Sequence, residues 1–393
     1  MNDYFLLALL IISFGVIIAL VANRKNFAIA ILLGSIILSI SIPDKFLNIV
    51  IKTATDFKVL ALIAIVVMIK MLAVILQESG LLEGVINTMK QKLSYKGMLI
   101  AIPSILGLLP VPGGALLSAP LIDIHGKVAN AKKELLMAIN LWYRHIWFII
   151  FPLATPLVLL ADLSGYNIFR IIIMQIPIFF LLFIVGYFFV RKVKAVKEEK
   201  KAAVQSEYKG LLPIIIPVSI ATPLSFFIST YSAFLISLPI GIAVALIMAK
   251  KREFAMLKKG ISITLAIAIY GIMLLKNIIF ETGIPQIIST HLIHMPSFIT
   301  IALLSFIIGL VTAHNLAAIG ILYPILFPFL DSINMVALLY VSSFMGYLIS
   351  PIHPCVVLTY DYFKPKFLQA YKLLLPPAIA VVIIATFFYS ILP

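Results

Sequence analysis

The sequence LLPVPGGALLSAP, residues 108–120, is apolar enough to lie in lipid, yet its centre PVPGG combines two prolines with two glycines. Both residue types interrupt helices, and hydrocarbon offers no water to the backbone groups that an interruption frees. Such backbone is tolerated at membrane depth only where protein or a water-filled cavity satisfies it. The stretch therefore predicts a re-entrant hairpin over residues 98–124, with PVPGG at its tip.

The composition supports a membrane environment for the whole chain. Hydrophobic residues make up 63% of the sequence and charged residues only 11%. Apolar runs of about 16 to 28 residues recur from end to end, as expected of a polytopic helical membrane protein. The first run follows Asn2 and Asp3 rather than basic residues, so we interpret it as a retained span and not as a signal peptide. Cys355 is the only cysteine, which excludes an intramolecular disulfide.

The basic residues, which give a net charge of +15, predict the orientation of the chain. With both termini outside the cell membrane, the external segments hold few basic residues: Lys45, Lys52, Lys58 and Arg170. The cytoplasmic segments hold many more: Arg24, Lys25, Lys90, Lys92, Lys96, Lys127, Lys132, Lys133, residues 191–209, residues 250–259, Lys364, Lys366 and Lys372. This imbalance is the positive-inside pattern, so the charge indicates orientation and no nucleic-acid partner. The orientation holds only if residues 98–124 enter and leave by the same side.

Three pairs of segments match in order at offsets of about 200 residues, which indicates an internal repeat. LQESGLLEGV (76–85) resembles IFETGIPQII (279–288). ILGLLPVPGGALLSAPLI (105–122) resembles IIGLVTAHNLAAIGILYPIL (307–326). FPLATPLVLLAD (151–162) resembles SPIHPCVVLTYD (350–361).

Each repeat is predicted to contain three helices, a hairpin, a long interrupted helix and a final helix. Five crossings is an odd number, so the second repeat would be inverted relative to the first, as in many secondary transporters. The predicted fold is thus an all-α polytopic membrane protein of two inverted five-helix repeats, residues 1–190 and 211–393. A basic cytoplasmic linker, residues 191–210, joins them.

The predicted binding site lies where the four interrupted elements meet near the midplane. Helix ends exposed there offer N–H dipoles to an anion and carbonyl groups to a cation. The candidate substrate- or ion-binding residues are those at the first hairpin tip, in the first long helix, at the second tip and around the second break: Pro112, Gly113, Gly114, Arg144, His145, Thr312, His314, Asn315, Ser350, His353 and Thr359.

Charged residues within the spans allow more than one interpretation. Arg144 could bind a carboxylate or phosphate in fork geometry, or could pair with a protein carboxylate or hairpin carbonyls. We expect Lys70 and Lys276 to pair with Glu78 and Glu281, although their ammonium groups could instead replace a coupling ion. Cys355 is interpreted as a packing residue, and Trp142 and Tyr143 as interfacial-belt or packing residues.

The repeats, hairpins and broken helices resemble the ion transporter superfamily, which includes divalent-anion/sodium symporters, citrate carriers, gluconate permeases and arsenite pumps. The symporters carry Ser-Asn-Thr at both hairpin tips, where this chain has Pro112-Gly113-Gly114 and His314-Asn315. Asn315 alone keeps the residue type. More narrowly, the chain resembles an archaeal and bacterial integral membrane family within that superfamily, for which the resemblance supplies no substrate.

These observations predict a secondary active transporter of a small organic anion, such as a carboxylate, coupled to protons or sodium. The alternatives are a cation/proton antiporter that uses Glu78, Glu281 and Asp361, and a non-transporting membrane scaffold. An enzyme is disfavoured because His-Glu-x-x-His, Gly-x-Ser-x-Gly and a proteolytic aspartate pair are absent from the sequence. We expect no cofactor and no metal, and the assembly state stays open, with a homodimer among the alternatives.

Overall fold

The computed structural model describes residues 3–23, 25–108, 114–194, 207–249, 254–292 and 295–392, and every regular element within them is helical. The first half contains α1 (Asp3–Ala22), α2 (Phe27–Ser39), α3 (Pro43–Thr55), α4 (Phe57–Glu78), α5 (Leu81–Lys92), α6 (Tyr95–Gly107), α7 (Ala115–Val128), α8 (Lys133–His145), α9 (Thr155–Ser164) and α10 (Ile168–Arg191). The second half contains α11 (Leu212–Leu224), α12 (Thr230–Met248), α13 (Phe254–Gly260), α14 (Ile263–Glu281), α15 (Ile284–Leu292), α16 (Ser297–Thr312), α17 (Asn315–Leu326), α18 (Ile333–Ile349), α19 (Pro354–Phe363) and α20 (Phe367–Ile391).

Polar caps begin many of these apolar helices. The side chains of Asn26, Asp56, Asn167 and Ser332 accept hydrogen bonds from backbone N–H groups in the first turns of α2, α4, α10 and α18. These caps satisfy backbone donors that would otherwise lack a partner at a helix end. By length and composition, the described residues contain 7 helical segments able to cross a membrane.

Large apolar side chains cover the outer surface of the long helices. Ile11 on α1, Phe180 on α10, Ile247 on α12 and Phe387 on α20 expose between 59% and 70% of their surface. A water-soluble protein rarely presents so many large apolar groups together, so these helices face the lipid of a bilayer. The chain is therefore an all-helical, multi-pass membrane protein.

The predicted helix breaks are confirmed. A short 3-10 turn, Ile146–Ile149, follows α8, and α9 starts only at Thr155. The second break separates the end of α18 at Ile349 from the start of α19 at Pro354. The helices α6 and α7 pack against each other, as do α16 and α17, and each of the four has 16 residues or fewer.

Glycines bring the backbones of these helices unusually close together. A Cβ at Gly107 on α6 would overlap the carbonyl oxygen of Arg144 on α8. Gly309 on α16, which matches Gly107 in the sequence repeat, is placed similarly: a Cβ there would overlap the carbonyl oxygen of Ser343 on α18. Only glycine leaves room for such contacts, and they set the height at which Arg144 lies beside the first helix pair.

The helices form two groups, and both halves of the chain contribute to each. In the first group, α2 and α4 pack on α14 and α12. In the second group, α7 packs on α19, α8 on α20 and α9 on α17. Contacts between α4 and α9 and between α14 and α17 join the two groups. The sequence halves are therefore intertwined, and the space between the groups is lined by both.

The surface carboxylates have partners other than those that the sequence suggested. Lys259 Nζ lies 3.0 Å from Glu78 Oε1, and Lys45 Nζ lies 2.6 Å from Glu281 Oε1. The predicted pairing of these carboxylates with Lys70 and Lys276 is therefore corrected, because each glutamate ends its helix near the surface, where a lysine of the short helix α13 or of α3 reaches it. Trp142 and Tyr143 are fully buried in helix packing rather than in an interfacial belt.

Candidate functional site

A cavity of about 340 Å³ lies between the two helix groups. One wall comes from α2, α4 and the start of α14, and includes Phe27, Lys70 and Thr264. The other wall comes from the broken helices α8–α9 and α18–α19 and from the junction of α16 and α17. The volume is that of a site for a small molecule, and sites in transporters commonly lie at such helix interruptions.

Three helices begin at the cavity. Ala154, Thr155 and Pro156 at the start of α9 line it, as do His314 and Asn315 at the start of α17 and Pro354 at the start of α19. These helices contain 10, 12 and 10 residues. The amino end of a helix carries a partial positive charge and unpaired N–H donors. The three ends together make the cavity favourable for an anion.

Arg144, the last residue but one of α8, adds a full positive charge. Its side chain is buried, and its Nη1 has no hydrogen-bond partner within the described residues. The guanidinium lies against Gly114, where a Cβ would overlap Nη2, and beside the thiol of Cys355. Its neighbours thus include the amino ends of α7 and α19, which disfavour a cation. A bound anion would compensate this arrangement.

Lys70 supplies a second cationic side chain from the opposite wall. It lies on α4 and lines the cavity together with Arg144. Within the part of the chain that the structure describes, no aspartate or glutamate lines the cavity. Two cations and three helix amino ends therefore face a space in which no described residue supplies a compensating carboxylate.

Two histidines and a tyrosine pack beside Arg144. The ring centroids of His145 and His353 are 5.0 Å apart, and those of Tyr347 and His353 are 4.1 Å apart. His145 Nδ1 lies 2.7 Å from the carbonyl oxygen of Leu141, so Nδ1 carries the proton and donates it. His353 Nδ1 has no hydrogen-bond partner among the described residues.

His314 and Asn315 occupy the second helix junction, which the sequence predicted as a hairpin tip. His314 is the N-cap of α17, and its Nδ1 accepts a hydrogen bond of 3.2 Å from the N–H of Ala317. Its ring stacks on Phe27 with centroids 5.1 Å apart. The side chain of Asn315 accepts from Ser343 at Oδ1, at 3.4 Å, whereas its Nδ2 donor has no partner in the described structure.

The structure brings most, but not all, of the predicted site residues together. Arg144, His145, His314, Asn315 and His353 line the cavity, and Gly114 contacts Arg144. The predicted residues Pro112 and Gly113 lie outside the described residues.

Three other predicted residues do not line the cavity. Thr312 donates to the carbonyl of Ile308 within its own helix, at 2.7 Å. Thr359 accepts a hydrogen bond of 3.4 Å from Asn140, which links α19 to α8. Ser350 follows the last residue of α18 as its C-cap, and its buried hydroxyl has no partner in the described structure.

Among the lining residues that sequence reasoning left out of the site, Lys70 and Cys355 carry an ammonium group and a thiol. Lys70 was expected to form an ion pair, although a lysine within an apolar span is itself a signal of function. Cys355 was interpreted as packing, although it is two residues from His353 at a predicted break. Both side chains line the cavity.

Comparisons with known proteins agree with the architecture. The fold is similar to that of a protein from Alcanivorax borkumensis, in the structure titled "Crystal structure of the Alcanivorax borkumensis YdaH transporter reveals an unusual topology", with a TM-score of 0.62 and 13% sequence identity. The similarity covers 86% of this chain and 87% of that one. No curated protein matches the sequence. A family described as "Protein of unknown function (DUF401)" matches residues 6–392, and the chain belongs to that family.

Proposed function

We propose that this protein is a secondary active transporter of a small organic anion, of the carboxylate class, coupled to protons or sodium. The observation that carries the proposal is the charge of the cavity. Arg144, Lys70 and three helix amino ends face it, and no carboxylate lines it within the described residues. In a low-dielectric interior such uncompensated positive charge is costly, and an anionic ligand removes the cost.

The cation/proton antiporter is less consistent with these positions. Glu78 and Glu281 form ion pairs with lysines, and their side chains are 32% and 41% exposed. Asp361 is also exposed. An antiporter needs acids that its transported cation can reach within the membrane, and none of these three lines the cavity.

The position of the cavity suggests how transport would proceed. One wall is formed by α2, α4 and α14 and the other by the interrupted helices. Movement of one group relative to the other would open the cavity first to one side and then to the other. The inverted repeats, the re-entrant placement of α6–α7 and α16–α17, and membership of the ion transporter superfamily are parts of this proposal, and the similar fold of a transporter supports it.

The proposal is tested with purified protein in two assays. A thermal-shift screen with carboxylates, phosphate, sulfate and amino acids, each with and without sodium, should find an anion that raises the melting temperature, because a ligand of the folded state stabilises it. That anion should then accumulate inside proteoliposomes when a pH or sodium gradient is imposed. Arg144→Gln should lower the affinity by about 10- to 100-fold, since a charge-assisted hydrogen bond is lost.

Arg170→Gln is the matched control, because Arg170 is an exposed arginine at the start of α10. It should bind and transport like the wild type. Equal binding and uptake by wild type, Arg144→Gln and His353→Ala would exclude this site. Stabilisation by sodium or another cation alone, with no response to any anion, would favour the antiporter.

A further inference from the structure

The wall of the cavity also contains a cluster of side chains whose atoms could bind a metal ion. One ligand atom each from His145, His353 and Cys355 lies within 4.8 Å of the other two. All three side chains are buried. Metal bonds of about 2.0 to 2.3 Å would require these atoms to approach by about 1 Å, which is a side-chain movement rather than a change of fold.

The hydrogen bonds of the two histidines leave a ring-nitrogen lone pair free on each. His145 Nδ1 donates to the carbonyl of Leu141, so the lone pair is on Nε2. A hydrogen bond from the far ring nitrogen to a carbonyl is the usual support of a metal-binding histidine. His353 Nδ1 has no hydrogen-bond partner in the described structure. Cys355 is a free cysteine and the only one in the chain.

We infer that His145, His353 and Cys355 form a site for a soft monovalent cation of the Cu(I) class. Two imidazoles and a thiolate are ligands that such ions prefer. On binding, the thiol releases its proton to water, and the thiolate with a monovalent ion is neutral. A divalent ion would leave an additional positive charge beside Arg144, which the buried position disfavours.

Silver(I) is a suitable probe because it resembles Cu(I) and does not change oxidation state under the assay conditions. Purified protein without any transport substrate is dialysed against Ag(I) buffered by a thiol competitor, and bound silver is counted by mass spectrometry. We expect one more silver per chain in the wild type than in Cys355→Ser or His353→Ala. Because the chain has a single cysteine, a thiolate-to-silver absorption band in the wild type would report Cys355 directly.

His314→Ala is the matched control, since His314 lines the same cavity but caps α17 and is outside the cluster. It should keep the silver that the other two variants lose. The inference would be overturned if wild type and Cys355→Ser bound equal amounts of silver and the wild type showed no thiolate-to-silver absorption band. If Cys355→Ser does not fold, the presence or absence of that band in the wild type decides the question. Equally tight binding of Zn(II) would contradict the charge argument. No assay here measures uptake, so the outcome is independent of the proposed transport function.

Discussion

At the scale of single residues, Gly114 shows why the motif PVPGG ends in glycine. The residue precedes α7, and its missing side chain leaves the space that the guanidinium of Arg144 occupies. A buried cation with a fixed planar fork can select an anion only if the fork is held in one place. Gly114 is therefore expected to position the anion-binding group, although it offers no polar side chain itself.

Gly114→Ala should displace the guanidinium and weaken anion binding by about 10- to 100-fold, because errors of about 1 Å in the position of a binding group have effects of that size. The measurement is the anion concentration that gives half of the maximal thermal shift. Gly15→Ala is the control, since a Cβ at Gly15 meets nothing within 4 Å. Unchanged affinity in Gly114→Ala would show that Arg144 does not contact the ligand from this position.

At the scale of helices, matched positions in the two halves serve the same structural purposes. Gly80 and Gly283, from the matched Glu-Ser/Thr-Gly turns, have φ angles of 76° and 73°. The left-handed region at these turns favours glycine. Gly107 and Gly309 also match, and each lets its helix approach the backbone of the second helix after it in the chain, α8 and α18 respectively. These shared details support the repeat more strongly than apolar sequence similarity does.

Gly107→Ala and Gly309→Ala should each lower the stability of the folded protein by about 1–3 kcal/mol, because the added methyl group forces two backbones apart. Thermal unfolding in detergent measures the effect, and Gly15→Ala should melt like the wild type. Gly107→Ala should also weaken anion binding, since the backbone that it displaces is that of Arg144. A loss confined to one of the two variants would contradict their equivalence.

At the scale of the whole molecule, contacts between the halves involve lysines to which the positive-inside pattern assigns a side. Lys259, which pairs with Glu78, and Lys366, whose backbone N–H donates to Glu134, are predicted to be cytoplasmic. Lys45, which pairs with Glu281, is predicted to be external. Each exposed pair contributes little to stability, about 0–1 kcal/mol, so their value here is as markers of the two faces.

Cysteine labelling tests the orientation directly. In a Cys355→Ser background, Lys45→Cys should react with an impermeant thiol reagent in intact cells. Lys259→Cys should react only after the membrane is opened, since the positive-inside pattern places it in the cytoplasm. Both positions are exposed, with side-chain exposures of 63% and 60%, so accessibility within the protein is matched. The reverse labelling pattern would contradict the predicted orientation and, with it, both predicted hairpins.

The sequence by itself determined that the chain lies in a lipid bilayer, that its fold is helical, and where its helices break. These depend on local properties, namely apolar length, the conformational limits of proline and glycine, and the placement of lysine and arginine. Arg144, His314 and His353 could be selected for the same reason, because polar groups at interruptions in an apolar segment are costly unless they are used.

Only the tertiary structure decided which of these groups share one cavity. Lys70, Arg144 and Cys355 are far apart in sequence and meet there because both halves contribute to each helix group. Helix packing also pairs Glu78 with Lys259 and Glu281 with Lys45. The sequence suggested other partners, because it shows only the lysines near each glutamate in the same segment. Pairings across the chain depend on how helices pack against one another, and the sequence pattern of a single helix specifies only which residues it could bury.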